Sequence, residues 1–359
     1  MDAPLLIDGD VDIRTGDIEG AGDIVVKGDV RSGLTVKAKG SVKVQGVVET
    51  STIAAGGHVE VGCGIAGRGK GKIQAGGKIS IGYANQATLE SKAGIVIRSY
   101  AMNSTLLTDE DVLIAGEGVL VGGILMAGGS VFASRVGHKG ADVRDTSKGG
   151  AIARIVESTV VMLGLPPRIR RDHLESRSRL SLAEKLGRAS AQNAAYLLDN
   201  GMSGIDSSLS ERAAFLVKAP VTQEFLESMG AGSALETNEE LRVIVAEIAG
   251  RLPSPMHAES KDAEIQNLAL QLYHLYVANK FIVDLFEENI RRLSCPELNA
   301  AAELRAKEMV HEGVKVTIGF KEVEIGEDMG GTVFRLTNGE IKMVPFNGNA
   351  ADGGPGRDR

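Results

Sequence analysis

The sequence has no tryptophan, and aromatic residues make up only 4% of it. A core built without large rings must be filled by aliphatic side chains. Cys63 and Cys295 are the only two cysteines, and they sit in different segments. That argues against a disulfide framework and fits a reducing compartment. No run of 18 apolar residues occurs, so no transmembrane segment is expected. The opening MDAPLLIDGD has neither a basic n-region nor an apolar h-region, so no signal peptide is expected. Excess positive charge is lacking too. The formal net charge is −7, which argues against nonspecific nucleic-acid binding, because that needs clustered Lys and Arg. These absences point to the cytoplasm, with protein partners or other copies of the chain as the expected ligands and no nucleic acid.

Glycine is plentiful, with 46 residues, dense before about residue 150 and sparse through the middle. Such a shift marks a change of architecture, and 359 residues suggest two or three domains. The early glycines fall in a repeat. Gly-x-hydrophobic recurs as Gly22-Asp23-Ile24, Gly40-Ser41-Val42, Gly57-His58-Val59, Gly77-Lys78-Ile79, Gly94-Ile95-Val96 and Gly129-Ser130-Val131, with Asp111-Val112 in step. A second series runs Leu34, Ile53, Ile73, Leu89, Leu106, Ile124. Both advance by 16 to 20 residues.

Inside each repeat, apolar and polar residues alternate, as in Val42-Lys43-Val44 and Val59-Glu60-Val61. Alternation means short strands with one face inward. Stacking such coils buries a face that no single coil can bury. The glycines are read as corner residues that adopt positive φ. A subperiod of six (Ile24, Val30, Val36, Val42, Val48, Ile53, Val59, Ile65) implies three strands per coil. Left-handed hexapeptide helices of acyltransferases share that subperiod, but the wandering 16–20 residue interval favours a right-handed coil.

From about residue 151 the texture is helical. Helices are expected over Ala151–Leu163, Arg168–Asp199, Ser210–Met229, Asn238–Gly250, Ala258–Leu293 and Glu297–His311, with Pro and Gly between them. Leu268, Leu272, Leu275, Asn279, Ile282 and Phe286 form an apolar seam, read chiefly as intramolecular packing, with a partner groove or a dimer face as alternatives. Strands return at 314–318, 322–325, 332–336 and 340–344, with Asn338-Gly339 as a hairpin turn. They are expected to cap the solenoid. The expected fold is therefore mainly β plus α. It has a right-handed single-stranded parallel β-helix of about 18 residues per coil over 5–150 and a helical, coiled-coil-like insertion over 151–312. Capping strands over 313–346 and a disordered tail over 347–359 complete it.

The run from Ile7 to Ile79 resembles the β-solenoid of the flagellar assembly protein A family. Its most specific pieces are Gly46-Val47-Val48-Glu49, Ile53-Ala54-Ala55-Gly56-Gly57, Gly64-Ile65-Ala66-Gly67 and Lys70-Gly71-Lys72-Ile73-Gln74-Ala75-Gly76-Gly77. Gly118–Ala127, Val136-Gly137 and the closing Gly313–Gly319 continue the likeness. The N-terminal domain that the family usually carries ahead of the solenoid is not expected here. The resemblance implies a polymer-forming, bactofilin-like architecture linked to flagellar assembly or polar organisation. It implies a location at the pole or near the membrane through partners.

Candidate chemistry is sparse. Gly62–Gly67 matches G-x-G-x-x-G, but strands of the repeat lie on both sides, where a dinucleotide site needs a following helix. Gly64–Lys70 matches G-x4-G-K, but Gly71 stands where Ser or Thr is needed. His58 and His138 lack the partners of a general base, and His173, His257, His274 and His311 are scattered. Asp8, Asp10, Asp12, Asp17, Asp23 and Asp29 are read as outward carboxylates rather than a calcium roll, because the G-G-x-G-x-D repeat is absent. Arg68, Lys70 and Lys72 form a small basic corner, the one candidate partner contact. No catalytic residue, metal ligand or cofactor is expected. The expected role is a noncatalytic scaffold. An adaptor binding a signalling or transport protein through the helical block, and a left-handed β-helix acyltransferase, are the alternatives.

Overall fold

The computed structural model describes residues 4–138, 158–200, 206–218, 221–222, 226, 238–248, 260–293 and 298–347. They fall into two compact units, residues 1–170 with 296–359 and residues 171–295. The first unit is a parallel β-solenoid in which each coil adds one rung to each of three faces. On the first face Leu5, Ile24, Val42, Val59, Ile79, Ile95, Val112, Val131 and Leu304 stack in register. The second face stacks Val11, Val30, Val48, Ile65, Ala84, Ala101, Leu120, Val136 and Val310. The third stacks Ile18, Val36, Ile53, Ile73, Leu89, Leu106, Leu125, Val161 and Val316. The six-residue recurrence is these three faces visited in turn. Beyond the first coil these side chains are buried, and they form one continuous core. Each buried Val or Ile contributes about 1.5–3 kcal/mol.

Seven coils follow one another without interruption, from Leu5 to Ala127. The eighth runs from Val131–Val136 to Thr159–Leu163, and the ninth is made by Glu303–Val310 and Lys315–Ile318. Here the structure departs from the helices expected over Ala151–Leu163 and Glu297–His311. Thr159–Leu163 and Glu303–Val310 are strands, because the last rungs offer them open edges to pair with. Residues 151–157 lie outside the described set.

Two register details also differ from the sequence reading. Ile95, not Val96, points inward beside Ile79, because Gly94 occupies the middle place of Gly-x-hydrophobic. Val36 and Leu125 fill the third face where Leu34 and Ile124 were expected, and Ile124 is exposed. A one-residue slip moves a strand residue to the opposite face, so near misses of this kind invert exposure.

The repeated glycines have a different cause from the one expected. Of Gly22, Gly40, Gly57, Gly77, Gly94 and Gly129, only Gly94 has positive φ. Gly40, Gly57, Gly77 and Gly129 answer a crowding problem. Asp23 Oδ1 accepts the N–H of Ser41, Ser41 Oγ that of His58, His58 Nδ1 that of Lys78, and Asp111 Oδ1 that of Ser130. Each side chain thus satisfies a corner amide one coil further on, which a bend would otherwise leave unpaired. The accepting atom sits where the preceding residue's Cβ would be. A Cβ on Gly40 would lie 2.2 Å from Asp23 Oδ1, on Gly77 2.5 Å from His58 Nδ1, and on Gly129 2.1 Å from Asp111 Oδ1. Only glycine leaves room for the cap.

The C-terminal end of the solenoid is closed by antiparallel strands. Met329–Thr337 pairs with Glu303–Val310, and Lys321–Glu324 pairs with Lys315–Ile318. Glu340–Pro345 adds to Met329–Thr337 through the two-residue turn Asn338-Gly339, whose φ angles are 52° and 77°. Residues 348–359, most of the expected tail, lie outside the described set. At the other end, among the described residues, Leu5–Ile7 pairs on one side only.

The second unit is helical. Its elements are α1 (Pro167–Asp199, from residue 171), α2 (Ser207–Val217), α3 (238–248) and α4 (Ser260–Leu293). Leu268, Leu272, Leu275, Asn279 and Ile282 of the expected seam are all buried. Leu268, Leu272 and Leu275 pack with Ala194, Leu209, Leu216, Leu241 and Ile244. The Phe286 side chain lies outside the described set.

At the root of α1, Arg170 is buried. Its guanidinium donates to Leu163 O at 2.8 Å and to Gly319 O, tying the eighth coil to the ninth. Burial pushes it down to about 10, so it stays charged at neutral pH. Asn299 N–H donates to Gly164 O at 2.9 Å, so the chain leaves and re-enters the solenoid at neighbouring points.

Candidate partner surfaces

The basic corner projects from the fourth coil. Ala66 pairs with Asn85 and Gly71 with Ala87, so residues 67–70 bulge outward opposite Gln86 alone. Arg68 and Gly69 turn the chain at φ 47° and 80°. Arg68 and Lys70 are exposed and make no ion pair among the described residues, while Lys72 Nζ lies 3.8 Å from Glu90. An exposed pair of this kind contributes little. The three residues thus share a corner, but only two point freely to solvent.

The phosphate-like motifs are structural. Gly62–Lys70 lies within the strand Val59–Ala75, with no helix after it. The ring of Tyr83 covers Gly64, where a Cβ would come within 2.4 Å of it, and Tyr83 stacks on Tyr100 with centroids 5.3 Å apart. His58 Nδ1 is occupied as a backbone acceptor, and His138 is exposed just past the eighth coil's second strand, four rungs away. His311 lies against Asp328, at 3.2 Å. His274 is exposed, while the His173 side chain and His257 lie outside the described set.

The six aspartates read as outward-facing are each engaged. Asp8 pairs with Lys27, Asp12 with Arg14, and Asp17 accepts the N–H of Thr35. Asp23 caps Ser41, and Asp29 Oδ1 caps Val47. Asp10 caps Asp29 and meets Arg31 at 2.7 Å; Arg31 also holds Glu49 at 2.9 Å, clamping three successive coils. The hydrogen bond from the Asp29 amide, then that from Arg31, holds the Asp10 carboxyl below its ordinary value. No group of three or more His, Cys, Asp or Glu suited to a metal occurs among the described residues. No described helix is long and apolar enough to cross a membrane.

A groove on the helical unit was not among the sites expected from the sequence. On the helical unit, Leu182 and Leu186 of α1 and Tyr273, Val277 and Phe281 of α4 line an apolar groove of about 610 Å³. Ala183 and Ala278 form part of its lining, with Arg179, Ser190 and His274 completing it. The signal was in the sequence as a second apolar stripe on α4, offset from the buried seam. A helix apolar on two sides has more than one neighbour to satisfy.

The stacked solenoid, its glycine-lined corners and the helical block that follows agree with one family. The model of the flagellar assembly protein A β-solenoid domain matches residues 4–218. The chain belongs to the flagellar assembly protein A family. No curated protein and no solved structure matches it. The match covers the first eight coils of this flagellar assembly protein A solenoid and extends through α1 and α2.

Proposed function

We propose that the chain is a noncatalytic scaffold in flagellar assembly or polar organisation. In this reading the solenoid is a stiff base and the helical unit is the arm that meets other proteins. The observation that carries it is the groove. Large apolar side chains left in water between two long helices suit a macromolecular contact. The solenoid interior supports the same reading, being filled with stacked aliphatic side chains. Arg68 and Lys70 offer a second, weaker contact for an acidic partner.

The test replaces residues 171–295 with a short flexible linker, as the nearness of Gly164 and Asn299 allows. Proximity labelling in cells then compares full-length and shortened chains. The shortened chain should keep its β-sheet circular dichroism and lose the partners. An unchanged partner set would move the function to the solenoid and overturn the role of the arm.

A further inference from the structure

We propose that the groove of the helical unit is closed by the same groove of a second copy of this chain, related by a two-fold axis. This rests on reading the helical unit as an interaction arm and names its occupant. Leu182, Leu186, Tyr273, Val277 and Phe281 are each between 42 and 59% exposed. Together they leave on the order of 500 Å² of mainly apolar surface in water, within the range for a monomer's largest patch and the greater part of the roughly 800 Å² that each partner gives to a stable interface.

The groove is also suited to itself. Its walls are ridges of large side chains on two helices, and Ala183 and Ala278 between them leave space for ridges from outside. A two-fold axis lays α1 of one copy against α4 of the other and makes a four-helix layer. Charge favours that pairing. Within the helical unit α1 carries five basic against four acidic side chains, and α4 carries four against five. The two-fold thus brings helices of opposite net sign together and keeps the two basic helices apart.

The test is the mass of the full chain by light scattering after size exclusion, over a wide concentration range. The wild type should reach twice the chain mass. Leu186→Glu and Val277→Glu should each abolish the dimer, while Phe215→Glu, exposed on the outer side of α2 and outside the groove, should leave it intact. All three positions are exposed, so helical circular dichroism and melting should be preserved, separating lost association from lost folding. In a chain with Cys63 and Cys295 replaced by Ser, mixing Leu186→Cys with Val277→Cys should give a cross-linked dimer. A monomer at every concentration would overturn the proposal, as would an oligomer indifferent to the groove variants. If a monomer still captures partners through residues 171–295, the scaffold reading survives and the second copy as occupant does not.

Discussion

The Nδ1 atom of His58 accepts the backbone N–H of Lys78 at 2.9 Å, one coil further along. His58 here does the work that Asp23 and Asp111 do at other corners. Its ring also occupies the space that denies a side chain to Gly77. Gly77→Ala should therefore destabilise the solenoid by about 1–3 kcal/mol, through overpacking rather than backbone strain. Thermal unfolding measures it. Combining it with His58→Ala should cost less than the two single losses added, because the first change removes the group the second strikes. Strict additivity would refute the crowding explanation.

Replacement by the residue other corners use gives a milder result. His58→Asp should keep the amide cap and stay within about 0.5 kcal/mol of wild type, while His58→Ala should lose about 1 kcal/mol. Hydrogen exchange at the Lys78 amide checks this directly. Equal protection in both variants would contradict it.

Acid should loosen the early coils first. Asp10 is held below its ordinary value by the Asp29 amide and Arg31, and Glu49 by the Ser32 hydroxyl and Arg31. For depressed carboxyls the stabilisation is present above the unfolded value and is lost as pH falls through the folded one. The window therefore lies below about pH 4. Amide protection at Asp29 and Ser32 should fall there, and Asp10→Asn should flatten the response at Asp29.

Arg170 predicts a sharp local loss. Arg170→Ala should cost about 3 kcal/mol, because Gly319 O loses a buried donor and a cavity is left. Leu163 O keeps the N–H of Gly319, at 2.9 Å. The loss should centre on the eighth and ninth coils, seen as faster exchange in 159–163 and 315–318, with the first coils unaffected.

The helical core should fail separately from the solenoid core. Leu272→Ala, at a fully buried site, should cost about 2–5 kcal/mol. Its neighbours are all in the helical unit, so the helical signal should melt earlier while the sheet signal holds. A single merged transition, shifted as one, would contradict that.

What could be read from the sequence follows from how local each signal is. The coil period, the three inward positions and the aliphatic filling recur every 16 to 20 residues, so neighbouring stretches of chain declare them. The buried stripe of α4 was equally legible, because Leu268, Leu272 and Leu275 repeat at helical spacing. Periodicity leaves the hand of the coil open, since three strands per turn space residues alike in either sense. Of the last two coils, only Val131–Val136 and Lys315–Ile318 were legible. Thr159–Leu163 and Glu303–Val310 are separated by the helical unit, and each is a strand because an open rung edge accepts it. Glycine was visible as a pattern, but its reason was tertiary, since the atom that excludes a Cβ at Gly40 or Gly77 belongs to the coil before. The groove is the same kind of fact. Sequence alone determined that α4 is apolar on two sides; only packing decided which side α2 and α3 cover and which is left, with Leu182 and Leu186, facing water.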